Sequence, residues 1–167
     1  MRKDLYWIEG IWPGKLGLAH RLRVGDWLAV DIDGWKRAGV DGVLSWLTAE
    51  EERDLQLTLE AAHVRMQGMQ FSSFPIADRR VPDSEAELAE ALEAFSRELL
   101  SGKNVLVHCR QGLGRSGLVA ACLLVKTGMS PGAAVEAVSA ARGLPIPETP
   151  EQGSWVDRYA ASLSALK

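Results

Sequence analysis

Leu88, Leu92, Phe95 and Leu99 recur at steps of four, three and four residues, with polar and small residues between them. That spacing predicts an amphipathic helix. Ser84 with Glu87 supplies a capping-box start, and Gly102 ends it. NVLVH (104–108) is short and apolar, which predicts a buried parallel strand. From Ser116 to Thr127 the chain reads SGLVAACLLVKT, apolar on nearly all sides, so a buried helix closed by Gly128 is expected. Apolar runs predict further strands at 5–10, 16–22, 40–47 and 69–76. Helices are expected over 31–39, from Thr48 to about Val64, from Ser130-Pro131 to Gly143, and from Thr149 to about Leu166. Thr48 with Glu51 and Thr149 with Gln152 form two more capping boxes, which helix initiation alone explains. Between the strand at 69–76 and the helix after Ser84 lies ADRRVPD (77–83), a charged loop broken by Pro82. Strands and helices alternate, which predicts an α/β domain with a mostly parallel central sheet flanked by helices. No repeat or linker divides the chain, so 1–167 reads as a single domain.

Charge and composition narrow this picture only by exclusion. The formal net charge is −3, so nothing global calls for nucleic acid or an anionic membrane, and any preference for anions has to be local. No apolar run reaches transmembrane length, and the start MRKDLYWIEG is too polar for a secretory h-region, so a cytoplasmic protein is expected. Two cysteines, Cys109 and Cys122, do not make a disulfide framework. No His/Cys/Asp cluster has metal-ligand spacing, and neither a metal nor a cofactor is expected. Nothing specifies an oligomer, and a monomer is the simplest expectation. The tryptophans Trp7, Trp27, Trp35 and Trp46 fall within element patterns and read as core packing.

The chemistry concentrates in VHCRQGLGRSG (107–117), which joins the strand ending at His108 to the buried helix. A strand end in an α/β sheet faces the ligand crevice, and a helix start offers free N–H groups and positive potential. A tight loop there can aim successive N–H groups at an anion, with Gly112 and Gly114 supplying backbone freedom and Gly117 allowing close packing. Cys109 would sit at the base of this nest, where positive surroundings favour the thiolate. Arg115 offers a planar fork for two phosphate oxygens. Ser116 can hydrogen-bond the sulfur and improve it as a leaving group. His108 is expected to orient the loop through its ring nitrogens, not to transfer a proton.

His108-Cys109-x5-Arg115-Ser116-Gly117 resembles the signature of the cysteine-dependent protein tyrosine and dual-specificity phosphatases. The lysine of a Walker loop is missing. The resemblance implies a phosphotyrosine phosphatase-like fold and a general acid on a separate loop about thirty residues before the cysteine. FPIADRRVPD supplies Asp78 there, and this segment is similar to the acid loop of the small kinase-associated phosphatase-like group and its bacterial relatives. The likeness runs from near Gly17 to the helix after Thr149. It implies attack by Cys109 on phosphorus while Asp78 protonates the leaving oxygen. Water then hydrolyses the cysteinyl phosphate with Asp78 as base. Arg110, Gln111, Gly112, Leu113, Gly114 and Arg115 would cradle the phosphate.

Several residues admit two readings. Asp83 precedes the Ser84 cap, and helix initiation explains it, so Asp78 is the expected acid. Arg79 and Arg80 are either solvated loop charges or a rim that attracts an anionic substrate. Gln152 aligns roughly with a water-positioning glutamine of related phosphatases, but its capping box explains it equally well. Glu148 stands where many relatives carry another glutamine. Cys122 reads as core, with a resolving thiol as the alternative. The expected activity is hydrolysis of phosphotyrosine, with or without phosphoserine and phosphothreonine, on a phosphoprotein. A phosphoinositide or RNA 5′ phosphate, sulfur transfer, and an inactive phosphate-binding module remain as other readings. Arg110 is the one extra charge inside the loop, which lacks the lysines typical of lipid-directed relatives.

Overall fold

The structure is a computed structural model, and it describes residues 5–8, 10, 12–111 and 113–166. Among these residues five strands form one sheet: β1 (Leu5–Ile8), β2 (Leu16–Ala19), β3 (Gly42–Ser45), β4 (Gln70–Ser73) and β5 (Val105–His108). Their order is β1-β2-β5-β3-β4, with β1 antiparallel to β2 and the other pairings parallel. The apolar β5 therefore lies at the centre, as its sequence requires. Among the described residues seven helices cover the sheet: α1 (Asp26–Arg37), α2 (Ala49–Asp54), α3 (Glu60–Met66), α4 (Glu85–Leu100), α5 (Gly114–Lys126), α6 (Pro131–Arg142) and α7 (Pro150–Ala165). Among the described residues, no helix is long and apolar enough to cross a membrane.

The alternation of side chains along β5 divides the core. Val105 and Val107 join a cluster with α4, α5 and α7, whereas Leu106 packs with Ile32 and Trp35 of α1 and Val64 of α3. α5 is buried along almost its whole length, which explains a helix with no polar face. Register then gathers the loops. Ala19 and Ser45 both lie opposite His108, and Ser45 lies opposite Ser73. Four parallel strands thus end on one line, and the segments after them share the carboxyl edge of the sheet.

The structure departs from the expected elements in three places. α1 begins at Asp26 rather than 31, because Leu28, Ile32 and Trp35 already form its inward stripe. The helix expected from Thr48 to about Val64 is two helices. Gln56 adopts a left-handed φ of 56°, Leu57 is buried in the core, and helix resumes only at Glu60. Trp27 is 55% exposed, with the Arg23 guanidinium 4.3 Å from its ring, so it is a surface residue and not core. Of the three capping boxes, those at Thr48 and Thr149 are complete, while at Ser84 the hydroxyl bond to the Glu87 amide is the half that forms.

Candidate active site

β5 carries His108 and Cys109 to the carboxyl edge, and the chain turns directly into α5. Cys109 is 2% exposed and packs against the larger core cluster. Among the described residues no side chain caps the start of α5 at Leu113, so its first-turn N–H groups are left to other partners. Arg110 and Leu113 are half-buried and Gln111 is exposed; Gly112 lies outside the described residues. Gly114 does not adopt a left-handed φ, which corrects the backbone-freedom reading for that position. Space is its constraint: a Cβ there would come within 2.9 Å of Gln152 Oε1 and Glu148 Oε2. Gly117 is tighter still, since a Cβ would lie 2.0 Å from Ile146 Cγ2.

Arg115, 1% exposed, is the most heavily bonded side chain of the site. Its Nη1 donates to Glu51 Oε2 at 2.7 Å and Nη2 to Glu51 Oε1 at 2.8 Å, a bidentate pair. Nη1 also donates to the Ile76 carbonyl at 2.7 Å and the Trp46 carbonyl at 3.3 Å. Nη2 donates to Asp78 Oδ1 at 3.1 Å. Burial works against the charged guanidinium, yet the Glu51 bond and the charges of Cys109, Glu51 and Asp78 hold its pKa above the ordinary value. Burial likewise pushes the Glu51 carboxyl up, but Arg115 and Thr48 outweigh it and hold it below 4.5.

Glu51 therefore has two tasks, which corrects the reading of its capping box as helix initiation alone. Its Oε2 accepts from the Thr48 amide at 2.9 Å while both oxygens hold Arg115. The cap fixes the carboxylate at the start of α2, and the carboxylate fixes the guanidinium.

A second buried pair supports the strand end. His108 points to the α1–α3 side, where its Nε2 lies 2.5 Å from Glu60 Oε1. Both side chains are almost fully buried, and the Trp35 ring packs 5.9 Å from the imidazole. Burial opposes a charged ring, but the Glu60 carboxylate and its hydrogen bond outweigh this and raise the His108 pKa above 6.5. Sequence reasoning missed Glu60. Its signal was the spacing of Glu60 with Val64 on one buried helix face. Arg142 was missed too: from the end of α6 its Nη2 donates to the Gln111 carbonyl at 3.2 Å and lies 2.9 Å from His20 Nε2.

Asp78 stands on the loop after β4, with its side chain 43% exposed. The strand pairing continues into this loop, as Ile76 N donates to the Trp46 carbonyl at 3.1 Å and the Ile76 side chain is buried. Asp78 thus meets Arg115 across 37 residues of sequence, whereas Asp83 is exposed beside the α4 cap. Ser116 is fully buried, and its Oγ has no hydrogen-bond partner among the described residues. Cys122 is buried in α5, and burial pushes its thiol pKa up. Among the described residues no group of three or more His, Cys, Asp or Glu side chains is arranged to hold a metal ion.

The arrangement unites a thiol at a strand end, an uncapped helix start, a fixed guanidinium and a carboxylate on a separate loop. A family model described as "PTP-SAK: Swiss Army Knife protein, DSP-PTPase phosphatase domain" matches residues 20–152. Cyclin-dependent kinase inhibitor 3 of Homo sapiens is 29% identical over 137 residues, which cover 81% of this chain and 64% of that protein. The chain thus spans a little under two thirds of the length of the curated relatives it matches. Among solved structures, kinase associated phosphatase with its catalytic site cysteine replaced by serine superposes with a TM-score of 0.86 at 25% identity, covering 96% of both chains. Tk-PTP in its active form gives a TM-score of 0.79 at 25% identity over 96% of this chain and 99% of that one. PTPMT1 in complex with PI(5)P shares the fold, with a TM-score of 0.75 at 21% identity over 96% of this chain and 98% of that one.

Proposed function

This chain belongs to the DSP-PTPase phosphatase family, and from that premise we propose that it is a cysteine-dependent protein phosphatase. It hydrolyses phosphotyrosine, and phosphoserine or phosphothreonine as pocket depth allows, on a phosphoprotein in the cytoplasm. One catalytic domain spans 1–167 and acts as a monomer. The observation that carries this reading is the bonding of Arg115: buried, clamped by Glu51 and sharing its Nη2 with Asp78.

In the first step the Cys109 sulfur forms a bond to phosphorus as the ester P–O bond breaks. Asp78 gives its proton to the departing oxygen. Arg115 and the α5 N–H groups hold the equatorial oxygens. An arriving phosphate takes Asp78's place on Nη2. In the second step water attacks phosphorus, Asp78 takes the water's proton, and the S–P bond breaks. The unpartnered Ser116 hydroxyl is a donor held in reserve for the sulfur as it leaves with negative charge. Arg110, Gln111, Gly112, Leu113 and Gly114 provide the rest of the phosphate cradle.

The test is phosphate release from phosphotyrosine and phosphothreonine peptides, a phosphoinositide and an RNA 5′ phosphate, with chelator present. Wild type, Cys109→Ser and Asp78→Asn are compared. Peptide turnover should vanish in Cys109→Ser and fall about 100-fold in Asp78→Asn. Turnover of the lipid or RNA ester alone would overturn the assignment to phosphoprotein. Peptide binding without turnover in wild type would leave a binding module instead.

A further inference from the structure

The acid loop is tied down by two side chains from the segment before and within α7. Arg79 Nη1 donates to Glu148 Oε1 at 2.7 Å. Gln152 Nε2 donates to the Arg80 carbonyl at 3.1 Å, while its Oε1 accepts from the Thr149 amide. Gln152 is fully buried with both ends of its amide engaged, so it is anchored to α7 and to the loop at once. Glu148 and Gln152 also occupy the space that a side chain at position 114 would need, so this segment rests on the first turn of α5. Pro145, Pro147 and Pro150 stiffen it.

Within the loop Arg80 N donates to the Ala77 carbonyl at 3.0 Å, and Asp78 Oδ1 accepts from Arg115 Nη2 at 3.1 Å. Ala77, Asp78, Arg79 and Arg80 are all exposed. Arg79 takes a left-handed φ of 61°, a conformation disfavoured for any residue with a Cβ. The bond from Arg80 N to the Ala77 carbonyl closes a turn with Arg79 at its third position, where a positive φ belongs, and the contacts to Glu148 and Gln152 tie this turn to the segment at the start of α7.

We propose that Arg79, Glu148 and Gln152 form a clamp that fixes the acid loop over the phosphate loop, which makes Glu148 a positioning residue for Asp78. The proposal rests on the phosphatase reading and adds to it. Glu148 and Gln152 then serve to aim the acid. Glu148 acts through Arg79, one residue after Asp78, and Gln152 acts through the next peptide unit.

Leaving-group dependence separates this role from a general loss of structure. A general acid matters for an ester of a poor leaving group and matters little when the leaving phenol is already acidic. The probes are phenyl phosphate and the phosphate of a fluorinated coumarin with an acidic hydroxyl. The variants are Glu148→Ala, Arg79→Ala, the double variant and Glu148→Gln, with Asp78→Asn as reference. Arg79→Ala keeps a Cβ in the left-handed region, so the backbone preference stays the same. Glu148→Ala and Arg79→Ala should each lower kcat on phenyl phosphate about fivefold, the scale of one exposed ion pair, and on the coumarin ester less than about twofold. The double variant should lose no more than either single one. Glu148→Gln, whose amide oxygen still accepts from Arg79, should recover at least half of the loss. Amide hydrogen exchange over 77–83 should quicken in Glu148→Ala while that of β5 and α5 stays unchanged.

Equal losses on both esters, additive losses in the double variant, or unchanged exchange over 77–83 would overturn the clamp. Failure of the phosphatase reading looks different. Wild type would then turn over neither ester, and the positioning role would fall with it. Turnover that depends on Cys109 and Asp78 but is indifferent to Glu148→Ala would sink the clamp alone.

Discussion

Glu51→Gln tests how Arg115, the arginine proposed to bind phosphate, is held. The substitution removes one charge from two contacts of 2.7 and 2.8 Å to a guanidinium that is 1% exposed. It spares the helix cap, because glutamine at the third helical position completes a capping box as glutamate does. Removing one partner of a buried ion pair costs about 3–5 kcal/mol. Here Asp78, the Ile76 carbonyl and the new amide oxygen still accept from Arg115. The expected loss of folding stability is therefore nearer 2 kcal/mol. A guanidinium displaced by a fraction of an ångström should also lower kcat/KM on a phosphotyrosine peptide by about 10- to 100-fold and weaken inhibition by vanadate in parallel. Thr48→Ala is the control. It loses the hydroxyl cap for about 1 kcal/mol but leaves the carboxylate on Arg115, so kcat/KM should stay within about twofold of wild type. Urea denaturation and initial rates measure both quantities. The sign of the pH dependence follows from the lowered Glu51 pKa. Its contribution is present above the unfolded value of 4.5 and is lost as pH falls through the lower folded value. Full activity and unchanged vanadate affinity in Glu51→Gln would refute this reasoning, as would an equal loss in Thr48→Ala.

Two further outcomes follow from the packing beneath the site. The raised His108 pKa makes its pair with Glu60 fully stabilising below the unfolded value of 6.5, with loss as pH climbs through the higher folded value. The stability gap between wild type and Glu60→Gln in urea should thus narrow in alkaline solution, and a constant gap would contradict the pairing. Gly117→Ala places a Cβ 2.0 Å from Ile146 Cγ2, so a loss of about 3 kcal/mol is expected in urea denaturation. A loss below about 0.5 kcal/mol would mean that the close approach relaxes freely.

The centre of the molecule was legible because its signals are local. An apolar strand, a glycine-rich stretch and a helix apolar on all sides follow one another within 104–127, and the strand and the helix take the expected form. The break between α2 and α3 was hidden because apolar spacing continues through Leu55 and Leu59 while the backbone turns left-handed at Gln56. The supports of the site were hidden for another reason. Glu51 meets Arg115 across 64 residues and Glu60 meets His108 across 48. At the sequence level Glu51 is accounted for by its cap, and Glu60 reads as a solvated charge on a predicted helix. Only the parallel register, which brings α2 and α3 to the end of β5, reveals what their carboxylates hold. Trp27 was misassigned because its neighbours carry the inward stripe of α1 and its own position does not.

The central claim is a covalent bond between phosphorus and the Cys109 sulfur. The most direct measurement is intact mass after acid quench during turnover of an aryl phosphate, followed by peptide mapping. The account predicts a fraction of the protein heavier by about 80 Da, the mass of one phosphoryl group, located on Cys109 and lost in Cys109→Ser. Steady turnover with no such adduct at any quench time, or an adduct that persists in Cys109→Ser, would contradict it.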